Sequence, residues 1–502
     1  MRLGVSGFRV GVVSWRFLVL ALSFGAALPA AFANGAAPEA EYRADQILVK
    51  PKAGVGRAAL ADFHAQHGAR VLGSFESIGG VQVVALPRGE TVPAFIAKYQ
   101  QSGLVEYAEP DFIRHLNTTP NDPKFVDGTL WALDNYGQSG GTPHADIDAT
   151  NAWDIRTSAS NIVVAILDTG VNYTHEDLAS NMWVNPVDGS HGTNAIAGTN
   201  DPKDDQGHGS LLAGILGAAG NNGKGVVGVA WQVQIMACKC FDSAGNGNDA
   251  AILACVDYAR TNGAQIINAS FDSTGFSQTF SNEIYATRQA GMLFVASCGN
   301  NAANIDPTPH YPACYKIDNV VSVGYTTRND TIGQYSNYGA TNVHLFAPGA
   351  AMYSTFFTAN NSYLGGSFLE GTSLAAPYVV GSLALMLAQY PGQSTHSIIG
   401  LLLSSTDPVP ALAGKCVTGG RLNLRKALSR PLLSALPSAP GGPFQLRVSA
   451  GTNRTCVIQA ATDLGTWSPI VTNSTSSAGY FDFTDSQGVG LARRFYRAVA
   501  AP

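Results

Sequence analysis

Charged residues are scarce in this sequence, and neither sign dominates. They make up 13% of the 502 residues, and 30 lysines and arginines against 35 aspartates and glutamates give a formal net charge of -5. This balance leaves no basic patch, so it gives no reason to expect a nucleic-acid partner. One long apolar run is present, at residues 17–33, and no other segment has the composition of a membrane span.

Metal-binding motifs for zinc are also missing. The seven cysteines match no zinc spacing, and His175-Glu176 does not continue into the His-Glu-x-x-His helix of a zinc protease. In an exported protein the cysteines can form disulfides, with one left over, and Cys298 and Cys314 are the candidate pair because they flank one loop. The alternative is that several are buried thiols that pack as small apolar side chains. No organic cofactor is expected.

The amino terminus has the features of an export signal. Arg2, Arg9 and Arg16 precede the apolar run, which ends in Ala31-Phe32-Ala33, a small-x-small pattern typical of a cleavage site. An uncleaved membrane anchor is the alternative, but the run is short for one. Residues 1–33 are therefore predicted to be a signal peptide. The protein is expected to be secreted, extracellular or periplasmic, with no membrane association after cleavage.

Three short segments place a carboxylate, an imidazole and a hydroxyl at special positions. Asp168 follows the apolar run 162–167, which is typical of a buried parallel strand. His208 stands in Gly207-His208-Gly209-Ser210, before a run of small residues that predicts a helix. Ser373 stands in Gly371-Thr372-Ser373-Leu374-Ala375-Ala376-Pro377, at the start of a helix that is apolar all round. An imidazole held by a carboxylate is the base that activates a serine hydroxyl.

Each of these residues alone also fits an ordinary role as a turn or a helix cap. Their occurrence together, each at a predicted strand end or helix start, favours a catalytic constellation. The Asp-Thr-Gly, Gly-His-Gly-Ser and Gly-Thr-Ser-Leu-Ala-Ala-Pro segments, in that order, resemble those of the subtilisin family. The resemblance implies a serine endopeptidase that hydrolyses proteins or peptides. Predicted strands at 162–167, 233–237, 265–270, 292–297 and 320–325 alternate with helical stretches, which indicates a doubly wound α/β catalytic domain built on a parallel sheet.

The resemblance also implies further site residues. Asn300, which follows the predicted strand 292–297, matches the oxyanion-hole asparagine of the family, with an ordinary Gly-Asn-Asn turn as the alternative. The predicted strand 265–270 resembles the substrate-aligning strand of the family, but it continues as Phe271-Asp272-Ser273 where glycines are usual. Ser270, Phe271 and Asp272 are therefore candidate substrate-binding residues. Side chains at 271 and 272 are expected to narrow the pocket wall or to add charge.

A calcium site is implied in the same way. Asp122 and Asp177 match calcium carboxylates of the family, and residues 220–226 resemble its binding loop, with Asn222 as a side-chain ligand and backbone carbonyls completing the shell. Oxygen donors of this kind suit calcium, which is expected in a structural role. An ordinary Asn-Asn-Gly loop is the alternative, and Lys224 adds an unfavourable positive charge.

The predicted domains follow from composition and resemblance together. Residues 34–117 have the strand and helix order of a ferredoxin-like α+β domain, and they resemble the propeptide of subtilisin-like enzymes, an intramolecular inhibitor removed by self-cleavage near Thr119. A plain accessory domain is the alternative. The catalytic domain is predicted over 118–430, a stiff Pro/Gly-rich linker over 431–443 and a small β-sandwich-like accessory module over 444–502.

Two other functions fit the same scaffold. One is a catalytically silent surface protein that uses the scaffold for binding, against which the complete set of three catalytic residue types argues. The other is an esterase, but Ser373 lacks the Gly-x-Ser-x-Gly elbow expected of that fold.

Overall fold

The computed structural model describes residues 42–112, 118–437, 442–489, 491 and 493–501. The chain divides into two units, the first ending at Ile113 and the second beginning at Arg114, and each is described by itself. The predicted signal peptide, residues 1–33, lies outside the described residues.

The first unit is a four-stranded antiparallel sheet with two helices. Its elements are β1 (Tyr42–Pro51), α1 (Arg57–Gln66), β2 (Arg70–Phe75), β3 (Val81–Ala85), α2 (Val92–Ser102) and β4 (Val105–Phe112). The strand order is β2-β3-β1-β4, and β1 pairs antiparallel with both β3 and β4. Ile47 and Val49 of β1 pack with Phe95 and Tyr99 of α2 in its core. This order confirms the predicted ferredoxin-like α+β fold.

The second unit is built on a nine-stranded, mostly parallel sheet. In chain order its elements are α3 (Pro123–Val126), α4 (Ala149–Trp153), β5 (Ser158–Asp168), β6 (Gly192–Asn194), α5 (His208–Gly217), β7 (Gln232–Lys239), α6 (Asp249–Thr261), β8 (Ile266–Ala269), α7 (Gln278–Gln289), β9 (Leu293–Ser297), β10 (Val320–Thr326), β11 (Leu345–Pro348), β12 (Tyr353–Thr355), β13 (Tyr363–Gly365), α8 (Thr372–Gln389), α9 (Thr395–Ser404), β14 (Asp407–Pro408), β15 (Gly420–Arg421) and α10 (Leu424–Ser429). Strands β12 and β13 form a separate two-stranded hairpin.

The order of the large sheet is β14-β15-β11-β10-β9-β8-β5-β7-β6. Every pair is parallel except β14 with β15. The chain therefore winds outward from β5 in both directions, and the predicted doubly wound α/β fold is confirmed. The strands predicted at 162–167, 233–237, 265–270, 292–297 and 320–325 correspond to β5, β7, β8, β9 and β10.

The central strands are apolar on both faces because helices cover both sides of the sheet. Val164 and Ile166 of β5 face one core cluster, whereas Ala165 and Leu167 face another. Helix α8 is long and apolar enough to cross a membrane, but 83% of that stretch is buried inside the protein, where it packs against α5 and the sheet. It is therefore a core helix, as its all-round apolar sequence predicts.

A small β module ends the second unit. Its strands are β16 (Leu432–Leu436), β17 (Phe444–Ser449), β18 (Thr455–Ala461), β19 (Ser468–Ser474), β20 (Tyr480–Asp485) and β21 (Phe495–Ala500). They form two three-stranded sheets, β16-β17-β20 and β19-β18-β21, with Val448 and Ile458 buried in a shared core.

The predicted linker over 431–443 is partly wrong. Leu432–Leu436 forms β16, which pairs antiparallel with β17 along its whole length. The apolar side chains of this segment favour a half-buried strand, and its prolines lie outside the paired residues. Residues 438–441 of the predicted linker lie outside the described residues.

Candidate active site

The carboxyl ends of three adjacent strands position the predicted catalytic residues. Asp168 is the last residue of β5, and Asn300 follows β9. Between these two strands lies β8, which is followed directly by Ser270, and the hydroxyl of Ser270 donates to the carbonyl oxygen of Ser373 at 3.0 Å. The four residues therefore share the edge at which open α/β sheets bind ligands.

Asp168 and His208 form a hydrogen-bonded pair. Nδ1 of His208 lies 2.9 Å from each carboxylate oxygen of Asp168. The Asp168 side chain is 3% exposed and that of His208 is 31% exposed, so a buried carboxylate holds a ring that solvent still reaches. Because Nδ1 donates its proton to Asp168, Nε2 is left without a proton and is available as a base.

The surroundings of His208 set its basicity. Burial by itself lowers the pKa of His208, but the charge and hydrogen bond of Asp168, with the charge of Asp204, outweigh burial. Together they raise the pKa above its usual value of 6.5.

Asp204 is a second buried carboxylate beside this pair, and it was not among the predicted site residues. It accepts five hydrogen bonds at 2.6–3.0 Å, from the hydroxyl of Thr169, the backbone N–H groups of Gln206, Gly207 and Ser210, and the hydroxyl of Ser210. Because Thr169 adjoins Asp168 and Ser210 lies in the first turn of α5, Asp204 connects the segment of Asp168 to the helix that begins at His208. A carboxylate at this end of a helix is also favoured by the helix dipole.

Ser373 lies in the first turn of α8, where backbone N–H groups have no partner within the helix. Helices α5 and α8 both begin at the carboxyl-end edge of the sheet and pack against each other. A Cβ at Gly381 would stand 2.9 Å from the carbonyl oxygen of Leu216, so the two helices are closely packed there. Gly381 follows Ser373 by as many residues as Leu216 follows His208, which places the two helix starts side by side. Within the described part of the chain no hydrogen bond joins His208 to Ser373. Catalytic hydrogen bonds of this kind often tighten only when substrate binds.

Thr372 orients the amide of Asn300. Oδ1 of Asn300 accepts hydrogen bonds from the backbone N–H and the hydroxyl of Thr372, at 2.9 and 3.0 Å. Because a backbone N–H is a donor, the amide atom that it contacts is the acceptor Oδ1. Nδ2 of Asn300 therefore points away from Thr372 and is available as a donor. A Cβ at Gly371 would stand 3.3 Å from Oγ of Ser373 and 3.4 Å from Nδ2 of Asn300. The hydroxyl and the amide therefore border one small space, which glycine keeps open.

The three candidate substrate-binding residues have different surroundings. The hydroxyl of Ser270 holds the segment around Ser373, called the nucleophile segment below, through its hydrogen bond to the carbonyl oxygen of Ser373. The ring of Phe271 packs against those of Phe241 and Phe280, with centroids 5.1 and 6.3 Å apart. Asp272 pairs with His310, whose Nδ1 lies 2.6 Å from Oδ2 of the carboxylate. No motif marks His310 in the sequence, and it was not predicted as a site residue.

The three predicted calcium ligands lie together. Asp122 and Asp177 are completely buried, and Nδ2 of Asn222 donates to Asp177 at 2.9 Å, while the backbone N–H of Asn222 faces Asp122. Burial raises the pKa of Asp122, and the nearby charge of Asp177 adds to that increase. No salt bridge among the described residues reaches either carboxylate. Among all the residues that the structure describes, no group of three His, Cys, Asp or Glu side chains is arranged for a metal ion. A cation bound by Asp122 and Asp177 would therefore also need amide and carbonyl oxygens.

All seven cysteines are buried free thiols. Cys298 and Cys314, the candidate disulfide pair, are not joined. Their thiols face different carbonyls, those of Asn337 at 3.2 Å and Ile305 at 3.8 Å. The alternative of buried thiols is the one that the structure contains.

Comparison with known proteins decides the family. A model of the subtilase family, Peptidase_S8, matches residues 159–431. The chain belongs to this family. A second model, described as the fervidolysin N-terminal prodomain, matches residues 29–111 of this subtilase.

Two relatives each match more than half of the chain. The thermophilic serine proteinase of Bacillus sp. (strain AK1) is 32% identical over 338 residues, covering 67% of this chain and 76% of that protein. Thermitase of Thermoactinomyces vulgaris is 32% identical over 310 residues, covering 62% of this chain and 99% of that protein. A solved protease from Pseudoalteromonas arctica PAMC 21717 has a TM-score of 0.52 and 28% identity, covering 62% of this chain and 98% of that one. This subtilase is a serine endopeptidase with an N-terminal prodomain.

Proposed function

We propose that this subtilase is exported as a zymogen and becomes a secreted endopeptidase by removing its own propeptide. The observation that carries the catalytic assignment is the contact of Nδ1 of His208 with both carboxylate oxygens of Asp168. Asp168 ends β5, and the neighbouring strand β8 is followed by Ser270, which is hydrogen-bonded to Ser373. The basic and apolar start of the sequence supports export. The prodomain match supports inhibition in cis by residues 34–117 until cleavage near Thr119.

In the acylation step, Nε2 of His208 accepts the hydroxyl proton of Ser373 while Oγ attacks the carbonyl carbon of the substrate. Asp168 keeps the imidazole in the tautomer that leaves Nε2 free, and it stabilises the imidazolium that forms. The carbonyl oxygen becomes an oxyanion in the space beside Gly371. Nδ2 of Asn300 and the backbone N–H of Ser373 donate hydrogen bonds to it.

Collapse of this intermediate breaks the peptide bond. The imidazolium of His208 gives its proton to the leaving amine, and the acyl group stays on Ser373 as an ester. Water then enters, His208 removes one of its protons, and the resulting hydroxide attacks the ester. Ser373 leaves and takes the proton back, so the enzyme returns to its starting state.

Calcium is proposed as a structural ion held by Asp122, Asp177 and Asn222. The residues fit this ion, because two buried carboxylates lie close together with only neutral donors around them, and a divalent cation would balance both charges. The Gly-rich loop 220–226 supplies further backbone oxygens. The ion would fix the segment around Asp122 to this loop.

A serine variant tests the proposed function. Ser373→Ala is compared with wild type and with Ser243→Ala, which changes an exposed serine on a loop. Wild type and Ser243→Ala are expected to lose the propeptide and digest casein, whereas Ser373→Ala stays full length and inactive. Amino-terminal sequencing of the processed chain gives the cleavage point. If wild type also stays full length and digests no casein, the proposal is wrong, and hydrolysis of esters alone would favour an esterase.

A further inference from the structure

The substrate residue on the acyl side of the scissile bond must bind close to the oxyanion space, because its Cα is bonded to the carbonyl carbon that Ser373 attacks. Two segments border this space: 270–272, which leaves β8, and 298–300, which leaves β9. Both touch the nucleophile segment, through the hydrogen bonds of Ser270 and Asn300. The side chain of that substrate residue is therefore expected to enter the space between the two segments, which is called the crevice below.

The carboxylate of Asp272 forms part of the wall of this crevice. Its Oδ2 lies 2.7 Å from the point where a Cβ at Gly299 would stand, directly against the backbone that precedes Asn300. Gly299 has a φ of +101°, a conformation that only glycine adopts easily. The close approach of carboxylate and backbone therefore requires glycine at 299.

His310 holds Asp272 from the interior side. Its side chain is 8% exposed against 25% for Asp272, and its Nδ1 contacts Oδ2 of the carboxylate. Two backbone hydrogen bonds between Ser273 and Tyr311, of 2.9 and 2.7 Å, keep the two segments in register. The imidazole is thus fixed behind the carboxylate, and the exposed part of Asp272 is what a ligand can reach.

The second oxygen of Asp272, Oδ1, accepts no hydrogen bond from the described residues, and no lysine or arginine among them pairs with this carboxylate. A partly exposed carboxylate oxygen favours a cationic N–H donor, since such a bond is charge-assisted. An apolar side chain in the same place would remove water from the oxygen without supplying a hydrogen bond to replace it, which is unfavourable.

We propose that Asp272, backed by His310, makes this crevice anionic and selects arginine or lysine on the acyl side of the scissile bond. The inference rests on the proposed function of Ser373 and adds the substrate class to it.

Matched peptides measure the selection. Six internally quenched peptides that differ only at the acyl-side residue carry Arg, Lys, Gln, Ala, Phe or Glu, and kcat/KM is measured for wild type. We expect Arg and Lys to exceed Gln and Phe by about tenfold or more, the size of one charge-assisted hydrogen bond, and Glu to be cut slowest. Equal rates for Arg and Gln, or a preference for Phe, would overturn the proposal.

A variant assigns the selection to Asp272. Asp272→Asn keeps the size and removes the charge, so the ratio of kcat/KM for the Arg or Lys peptide to kcat/KM for the Ala peptide is expected to fall by about tenfold. Asp188→Asn removes one charge from an exposed loop and should leave this ratio unchanged. An equal loss on every peptide would mean that Asp272 only supports the backbone at Gly299, and the selection would be refuted.

Wild type alone gives a second test that does not depend on the folding of a variant. Benzamidine should inhibit competitively at about a tenfold lower concentration than benzamide, its neutral isostere, and added salt should narrow the difference. Equal inhibition by the two compounds would overturn the proposal. Labelling of Ser373 by a fluorophosphonate separates the two levels: labelled enzyme without preference for Arg and Lys refutes the selection, and unlabelled enzyme refutes the proposed catalytic function.

Discussion

Asp204 accepts two hydrogen bonds from Ser210, one from its hydroxyl at 2.6 Å and one from its backbone N–H at 3.0 Å. The carboxylate is 4% exposed, so both bonds form out of contact with bulk water. Ser210 lies just beyond His208 in the first turn of α5. Asp204 therefore positions the helix start that carries the imidazole of His208, and its charge helps to raise the pKa of that imidazole.

Replacing Asp204 with asparagine removes this charge and one acceptor. We expect kcat/KM to fall by about tenfold or more, because a small displacement of His208 disturbs proton transfer. His208 must be neutral to act as base, and its pKa is raised, so the acid limb of the wild-type profile should have its midpoint above pH 6.5 and that of Asp204→Asn should lie lower.

Profiles of kcat/KM against pH check this. Asp188→Asn is the control, because Asp188 is an exposed carboxylate on a loop and accepts nothing from α5. It should shift the midpoint less. A midpoint that stays in place in Asp204→Asn would contradict the assigned role.

Asn300→Ala removes the side-chain donor to the oxyanion. A loss of about a hundred- to a thousandfold in kcat is expected, with a smaller change in KM, because the donor acts mainly in the transition state. That size is the one known for the same donor in subtilisin.

Thr372→Val deletes one of the two bonds to Oδ1 of Asn300 and leaves the backbone N–H. A loss of about fivefold in kcat is expected for a single hydrogen bond. Thr372→Ser keeps the hydroxyl and should restore the rate. Equal kcat values for the valine variant and wild type would show that the hydroxyl does not orient the amide.

His344 makes the fold sensitive to acid. Burial, helped by the charge of Lys316, lowers the pKa of His344 to about 4, and its Nδ1 accepts the backbone N–H of Ser322 at 2.9 Å. Unfolded histidine binds its proton near pH 6.5, so the unfolded state holds more protons between pH 6.5 and 4. Stability is therefore lost as the pH falls through this window, by about 3 kcal/mol in all.

Urea unfolding at several pH values measures the effect in the Ser373→Ala background, which prevents self-digestion. His344→Gln should lose less of its free energy of unfolding between pH 7 and 4 than the parent. His396→Gln changes an exposed histidine and should keep the parental dependence. Identical pH dependence of parent and His344→Gln would rule out this role for His344.

Removal of calcium should lower the stability of the same inactive background. With saturating calcium, about a hundred times the dissociation constant, the bound ion adds about 3 kcal/mol, so chelation is expected to lower Tm by about 5 °C or more. Asp177→Asn should abolish the difference between chelated and calcium-loaded protein, and Asp188→Asn should retain it. A Tm that does not respond to calcium would contradict the proposed ion.

The fold class and the strand-end and helix-start positions of the candidate catalytic residues could be predicted because their patterns are local. Asp168, His208 and Ser373 each stand in a short segment of small residues at a strand end or helix start, and apolar runs that alternate with helices indicate a parallel sheet. The pairing of Asp272 with His310 could not be predicted, because it depends on the Ser273–Tyr311 bridge between distant segments. No local pattern encodes such a contact.

Other errors have the same origin. Proline and glycine in 431–443 indicated an unstructured connector, but the partner strand β17 decides that Leu432–Leu436 is extended and paired. Cys298 and Cys314 flank one loop, yet the direction of each side chain decides whether two sulfurs meet. The spacing of two cysteines in the sequence does not determine the directions of their side chains.

Helix α8 begins at Thr372, next to Ser373, and its last residue, Gln389, is 4% exposed beneath the C-terminal module. The amide of Gln389 lies between Arg156, which donates to it at 2.9 Å, and the carbonyl of Ala450, which accepts from it at 3.4 Å. Truncation of the protein after residue 430 would remove this acceptor and expose the C-terminal end of α8, the helix that carries Ser373, to solvent. We therefore expect the C-terminal module to contribute to the stability of the catalytic unit, so that removing it destabilises the enzyme.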